Sequence, residues 1–144
     1  MANDAHFRKL ERMYLGAPIN QWYRPALSIS EGSAEVSIAV RPEFFHAANA
    51  VHGSVYFKLL DDSAFFAANS LVEDVFVLTT SFNVYLTRPV TSGRMVARGR
   101  VVHRSARVIL AESEVFDDAG RVVGRGSGAF MPGRTALTEE IGYR

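Results

Sequence analysis

Apolar positions recur along this chain with two different periods, and the places where the period changes mark its elements. Phe7, Leu10 and Met13 or Tyr14 fall at helical spacing with Arg8, Lys9, Glu11 and Arg12 between them. That predicts a short amphipathic helix, stopped by Gly16 and Pro18. "GAPINQWYRP" then reads as a loop rich in aromatics. Two strands are expected over about 26–31 and 33–41, with "SEGS" as their turn and period-two alternation in "AEVSIAVR". "RPEFFHAANAVHG" is an irregular connection, unusually apolar for a loop, leading into a long apolar helix over about 54–71. Four strand-like stretches follow, "VFVLTTSFNVYLTRPV", "GRMVARGRVVHR", "RVILAESEVFD" and "RVVGRGSGAFM", separated by turn signals at "TSG", "HRSA" and "DDAG". The tail "PGRTALTEEIGYR" shows no clear periodicity.

Strands joined by short turns argue for an antiparallel sheet. A single long apolar helix must bury itself on one large surface, and that sheet is the only candidate, so an α+β fold is expected. The 144 residues form one domain in this reading, with a helix and loop over 1–24, a core over 25–131 and a tail over 132–144. Gly124, Gly126 and Gly128 share a face of the last strand, where missing side chains let the sheet curve or the helix approach.

At about 100° per residue, Tyr56, Leu60, Ser63, Ala64, Ala67 and Leu71 form one stripe of the long helix, the face expected to press on the sheet. Lys58, Asp62 and Asn69 cluster opposite it, and the four-residue spacing of Lys58 and Asp62 allows a surface ion pair. Asp61 lies elsewhere, at the border of the apolar stripe beside Ser54, Phe57, Ala64, Phe65 and Ala68. A carboxylate there is costly to bury unless it is hydrogen-bonded or used. The two adjacent aspartates are therefore expected to have different jobs, Asp62 structural and Asp61 functional.

Composition narrows the chemistry. Sixteen basic against fifteen acidic residues leave no broad electrostatic footprint for nucleic acid or for a polybasic membrane contact. With no cysteine, thiol nucleophiles, disulfides and thiolate metal sites are excluded. Charges in "MANDAHFRKLERMYLG" break up any signal-peptide core, and Lys58, Asp61 and Asp62 spoil the one apolar segment as a membrane span, so a cytoplasmic protein is expected. A Ser54–His52–Asp61 triad is disfavoured because Ser54 is not in a G-x-S-x-G elbow. A metal site from His46, His52, Asp61 and Asp62 is disfavoured because the aspartates diverge around the helix and no helical His pair is present. His6 and His103 read as surface or turn residues.

"VHGSVYFKLLDDSAFFAANS" resembles the His-Gly-Gly motif that opens the central helix of hotdog-fold acyl-CoA thioesterases, in particular the phenylacetic-acid-pathway type. His52 and Gly53 match, Asp61 stands at the catalytic-Asp distance, "AANS" closes the helix similarly, and "FNVYLTRPVTSG" resembles the family's next strand. The resemblance covers roughly residues 25–131. It implies a hotdog fold, a long helix wrapped by a curved antiparallel sheet, here with an additional N-terminal helix. It also implies an acyl-CoA substrate with no separate cofactor, and a dimer or dimer of dimers with the site between subunits. The Gly53 N–H would serve as oxyanion hole at the positive helix end. Asp61 of the other subunit would act as general base or nucleophile. By the same resemblance Thr79 would position the water, and Arg104 and Arg107 lie where relatives often meet the phosphates of coenzyme A, with Arg88 similarly placed.

Two positions depart from the family pattern. Ser54 replaces the second glycine, where it could cap the helix by accepting from the Phe57 N–H or narrow the pocket. His46 stands where relatives usually carry an Asn, and an imidazole can donate the same hydrogen bond. His52 is expected to hold the loop so that the Gly53 N–H points correctly. Phe57, Phe65 and Phe66, with "EFF" and "NQWY", could shape a pocket for aryl or medium-chain acyl groups, or could simply fill the core. The alternative function is a non-catalytic acyl-CoA or lipid-binding hotdog protein. Hotdog hydratases use an Asp-His motif not found here, and a hotdog transcriptional regulator would need a DNA-binding domain.

Overall fold

The structure, a computed structural model, describes residues 3–144. Helix α1 (Asp4–Gly16) buries Phe7, Leu10, Met13 and Tyr14, the stripe its spacing dictates, and His6 beside them. A four-residue helix α2 (Asn20–Tyr23) then occupies part of the segment expected to be loop. Its turn is closed by Arg24, whose left-handed backbone (φ 53°) lets its N–H return to the Asn20 carbonyl. Strands β1 (Ala26–Ser30) and β2 (Ser33–Ala39) precede the central helix α3 (Gly53–Asn69), and β3 (Val75–Leu86), β4 (Arg94–Arg104), β5 (Ile109–Phe116) and β6 (Val122–Ala136) follow it.

All six strands form one antiparallel sheet in the order β1-β2-β4-β5-β6-β3. Helix α3 lies across it, in contact with every strand. Val55, Tyr56, Leu59, Leu60, Ala64 and Ala67 are buried there against Val36, Ala97, Val115 and Phe130. This is the hotdog architecture, with α1 as the additional N-terminal helix. Among the described residues no helix is long and apolar enough to cross a membrane.

Close approach of helix to sheet is set by a glycine other than the three in β6. A Cβ on Gly99 of β4 would stand 2.3 Å from the Ser63 carbonyl group, inside the helix backbone. Gly126 and Gly128 instead make room for the ring of Phe82 on neighbouring β3, and Gly124 is close to Tyr56 of α3. The packing role expected for these glycines thus divides between strand–strand and helix–sheet contacts.

Three local expectations are corrected. The helix ends at Asn69, and that residue is fully buried, not on a wet face. Its amide donates to the carbonyls of Val72 and Val75 and accepts from the Val77 N–H, stitching the helix end to the start of β3. His6 is buried too, with its ring between the Tyr143 hydroxyl (2.7 Å) and the Asn69 carbonyl (2.9 Å). Because a carbonyl only accepts, Nε2 carries the proton and Nδ1 accepts from Tyr143. The tail is partly strand: β6 continues to Ala136, which pairs with Val75, and a 3-10 turn follows at Glu139–Ile141.

The two sheet edges are treated differently. On β1, the Ile29 N–H donates to Glu11 and the Ile29 carbonyl accepts from Arg8, so side chains of α1 occupy that edge. The other edge, twelve-residue β3, has β6 on one side and, among the described residues, no strand on the other.

Candidate active site

Helix α3 begins with its N-terminal donors exposed to choice, since the first N–H groups of any helix lack intrahelical acceptors. His52 takes the N-cap place with extended backbone (φ −64°, ψ 145°), and its Nδ1 accepts from the Ser54 N–H at 3.0 Å. The Ser54 hydroxyl lies 2.8 Å from the same nitrogen. The cap is thus His52, not Ser54 reaching forward to Phe57. The Gly53 N–H finds no acceptor among the described residues. Gly53 borders a cavity of about 310 Å³ together with His46, Tyr56, Leu86 and Arg88. His46 is exposed, its Nδ1 accepts from the Ala48 N–H, and its ring centroid is 6.5 Å from that of His52. Tyr56 donates to the Arg88 carbonyl (2.7 Å), tying the start of the helix to the segment that follows β3.

Two turns further on, Asp61 projects from α3 toward β3. Thr79 Oγ1 donates to Asp61 Oδ1 at 2.9 Å, and no described donor reaches the second carboxylate oxygen. Burial pushes the Asp61 carboxyl up to about 6; the Thr79 hydrogen bond opposes this, neighbouring Asp62 adds to it, and Lys58 lowers it. Asp61 opens on a larger cavity, about 780 Å³, walled by Phe65, Phe66 and Phe76 on its apolar side. Its rim comes from the turn after α1 and from the C-terminal tail, at Ile19 and Ile141.

Asp62 borders the same cavity and forms the expected pair with Lys58, at 2.8 Å. The pair is not freely solvated, because its side chains are only 12% and 18% exposed. Tyr14 of α1 covers it and donates to the same oxygen, Asp62 Oδ2, at 2.6 Å. Burial first, and then the Asp62 charge, raise the Tyr14 phenol well above its usual range. The Lys58 ammonium lies over the rings of Tyr14 and Tyr23, 5.3 and 4.8 Å from their centroids.

The expected site residues therefore fall into three groups. Asp61, Thr79 and Phe65 border the large cavity; Gly53, His46 and Arg88 border the small one, with His52 and Ser54 at its cap. Phe57 is exposed and packs its ring edge-on against Phe82, bordering neither cavity. Arg104 donates to the Leu71 carbonyl beyond the far end of α3, and exposed Arg107 lies in the neighbouring turn, both remote from Gly53 in the same chain. The residue missed in the sequence is Tyr14. Its hydroxyl on the apolar face of α1 was the available signal, because a buried phenol needs a hydrogen-bond partner.

The family model described as the thioesterase superfamily matches residues 48–124, a stretch that contains both Gly53 and Asp61. A Mycobacterium tuberculosis protein named provisionally as an esterase is 32% identical over 97 residues, covering 65% of this chain and 69% of that protein. A similarly named Saccharolobus solfataricus protein is 23% identical over 111 residues, covering 77% of this chain and 79% of its own length. In fold, the E. coli PaaI protein from the phenylacetic acid degradation operon superposes with a TM-score of 0.84 at 19% identity, covering 93% of this chain and 97% of that one. With more than half of its length inside the family match, this chain belongs to the thioesterase superfamily.

Proposed function

We propose that this protein hydrolyses the thioester of an acyl- or aryl-acyl-CoA, with Asp61 activating the attack and the Gly53 N–H holding the developing oxyanion. The observation that carries the reading is Asp61 itself. It is a largely buried carboxylate with one hydrogen-bond donor, held above the usual carboxylate range, and it opens on an apolar cavity. Such a group is ionised at neutral pH yet more basic than an ordinary aspartate, which suits proton abstraction from water. Water adds to the thioester carbonyl as Asp61 takes its proton, and the oxyanion receives the Gly53 N–H bond. The tetrahedral intermediate then collapses, the C–S bond breaks, and the thiolate leaves with the proton. Direct attack by Asp61 on the carbonyl carbon is the other route open to the same carboxylate.

One chain does not bring the two parts together. Gly53 and Asp61 are eight residues apart on one helix, an axial separation of about 12 Å, and they border different cavities. A carbonyl held by one is out of reach of the other, so the reading includes a second copy of the chain that supplies the missing half. The open β3 edge supports this, because a long unpaired strand is a template for pairing with another chain. No separate cofactor enters this scheme, and coenzyme A is part of the substrate.

The test is a panel of acyl-CoAs from short-chain to aryl, with liberated thiol read by a chromogenic reagent. Wild type is expected to turn over at least one member and Asp61→Asn to lose at least about a hundredfold in kcat/KM. Saturable binding without turnover of any member would replace this reading with that of a non-catalytic acyl-CoA-binding protein.

A further inference from the structure

Asp61 and Asp62 are adjacent carboxylates on one helix, and both border the large cavity. The second is neither solvated nor idle. Its Oδ2 receives two donors, Lys58 Nζ at 2.8 Å from its own helix and the Tyr14 hydroxyl at 2.6 Å from α1. The hydrogen bonds of the aspartates are thus kept apart, Thr79 of β3 holding one and Tyr14 the other. We propose that the Asp62–Lys58 pair, anchored by Tyr14, is a positioning unit that sets the charge environment of Asp61 and so the pH range over which it works. This rests on Asp61 being the reacting carboxylate, as proposed above.

The physical content lies in opposite signs. Asp62 places a negative charge beside Asp61 and favours its protonated form; Lys58 places a positive charge nearby and favours the ionised one. With the ion pair intact the two effects partly cancel, and burial dominates. Tyr14 matters because it fixes which way Asp62 points.

Other charged groups border the same cavity and are part of its field. Arg12 comes from α1, and Glu139, Glu140 and Arg144 from the tail, two of each sign. Tyr23 of α2 lies behind Lys58, and β3 contributes only the uncharged hydroxyl of Thr79 beside Asp61. The adjacent pair on α3 therefore holds the charges that act most directly on Asp61, and it is the part whose alteration should be felt.

The experiment is the pH dependence of kcat/KM for wild type, Asp62→Asn and Lys58→Gln, on an acyl-CoA that wild type hydrolyses. Asp62→Asn removes the like charge and leaves Lys58 uncompensated, so the acid limb is expected to move down by about one pH unit. Lys58→Gln leaves Asp62 uncompensated, and the limb is expected to move up by a similar amount. A purely structural role, holding α1 on α3, would lower Tm in both variants and shift the limb in neither. Limbs that stay put, or that move in the same direction, overturn the proposal. NMR titration of the Asp61 carboxyl carbon in wild type and Lys58→Gln reads the same shift without catalysis, should Asp62→Asn fail to fold. Retained turnover in Asp61→Asn is a different failure, since it removes the reacting carboxylate and not its tuning.

Discussion

A carboxyl group held near pH 6 by burial leaves a mark on stability as well as on chemistry. The folded protein keeps the Asp61 proton to about pH 6, whereas the unfolded chain releases it near pH 4. In that window the native state binds more protons, so this group's contribution to stability falls as pH rises through it and stays low above. Asp61→Asn keeps an oxygen for Thr79 to donate to and removes the charge. It is therefore expected to raise stability at pH 7.5, on the order of 1–2 kcal/mol after allowance for partial solvent screening. The gain should shrink toward zero near pH 4, where both proteins are neutral at this position. Thermal melts at the two pH values check this, and an unchanged Tm at pH 7.5 would mean that the carboxylate is hydrated. At this scale the sequence was informative about Asp61 because its helical angle is a local property of the chain. It was silent on Asp62's covering and misleading on His6, because α1 and the tail reach those residues from far along the chain, and misleading on Asn69, because the turn after α3 folds Val72, Val75 and Val77 back onto its side chain.

Among the elements, the join of α3 to β4 is one of backbone against backbone. A methyl group on Gly99 would overlap the helix backbone at Ser63, with no flexible side chain to move aside. Gly99→Ala is expected to destabilise by about 2–3 kcal/mol, read as a lower midpoint in urea. Gly16→Ala, where nothing lies within 4 Å of the added methyl, should stay within about 0.5 kcal/mol of wild type. The order of elements was legible because helix and strand periods differ and turns carry Gly, Asp and Ser. Gly99 was not singled out, for a physical reason. Glycines in β6 stand out by their spacing, but which strand lies beneath the helix depends on sheet order, and β2 pairs with β4 only after the chain has passed through α3 and β3. The extent of β6 was hidden similarly: its last residues are exposed and held by backbone pairing to β3, so they need no alternation.

For the molecule as a whole, the question is whether a reacting carbonyl meets Gly53 and Asp61 of one chain or of two. Helix α3 is a rigid ruler between them; Arg8 and Glu11 hold the β1 edge at Ile29, and the β3 edge carries no further strand among the described residues. A mixing experiment separates the possibilities. Gly53→Pro deletes the proposed oxyanion donor at the first helical position, where proline is well tolerated. His52 already has the extended backbone that a following proline requires. The nearest atom to an added Cβ is the flexible tip of Leu86, at 3.0 Å. The Gly53→Pro protein keeps Asp61 without the donor, and the Asp61→Asn protein keeps the donor without the base. If sites form across a two-fold interface, each mixed dimer holds one intact site and one doubly defective site. Equal mixing followed by subunit exchange should then restore roughly a quarter of wild-type turnover from two nearly inactive proteins. If each site is built within one chain, the mixture stays as inactive as its parents, and the two-chain site must be given up even where Asp61 proves essential.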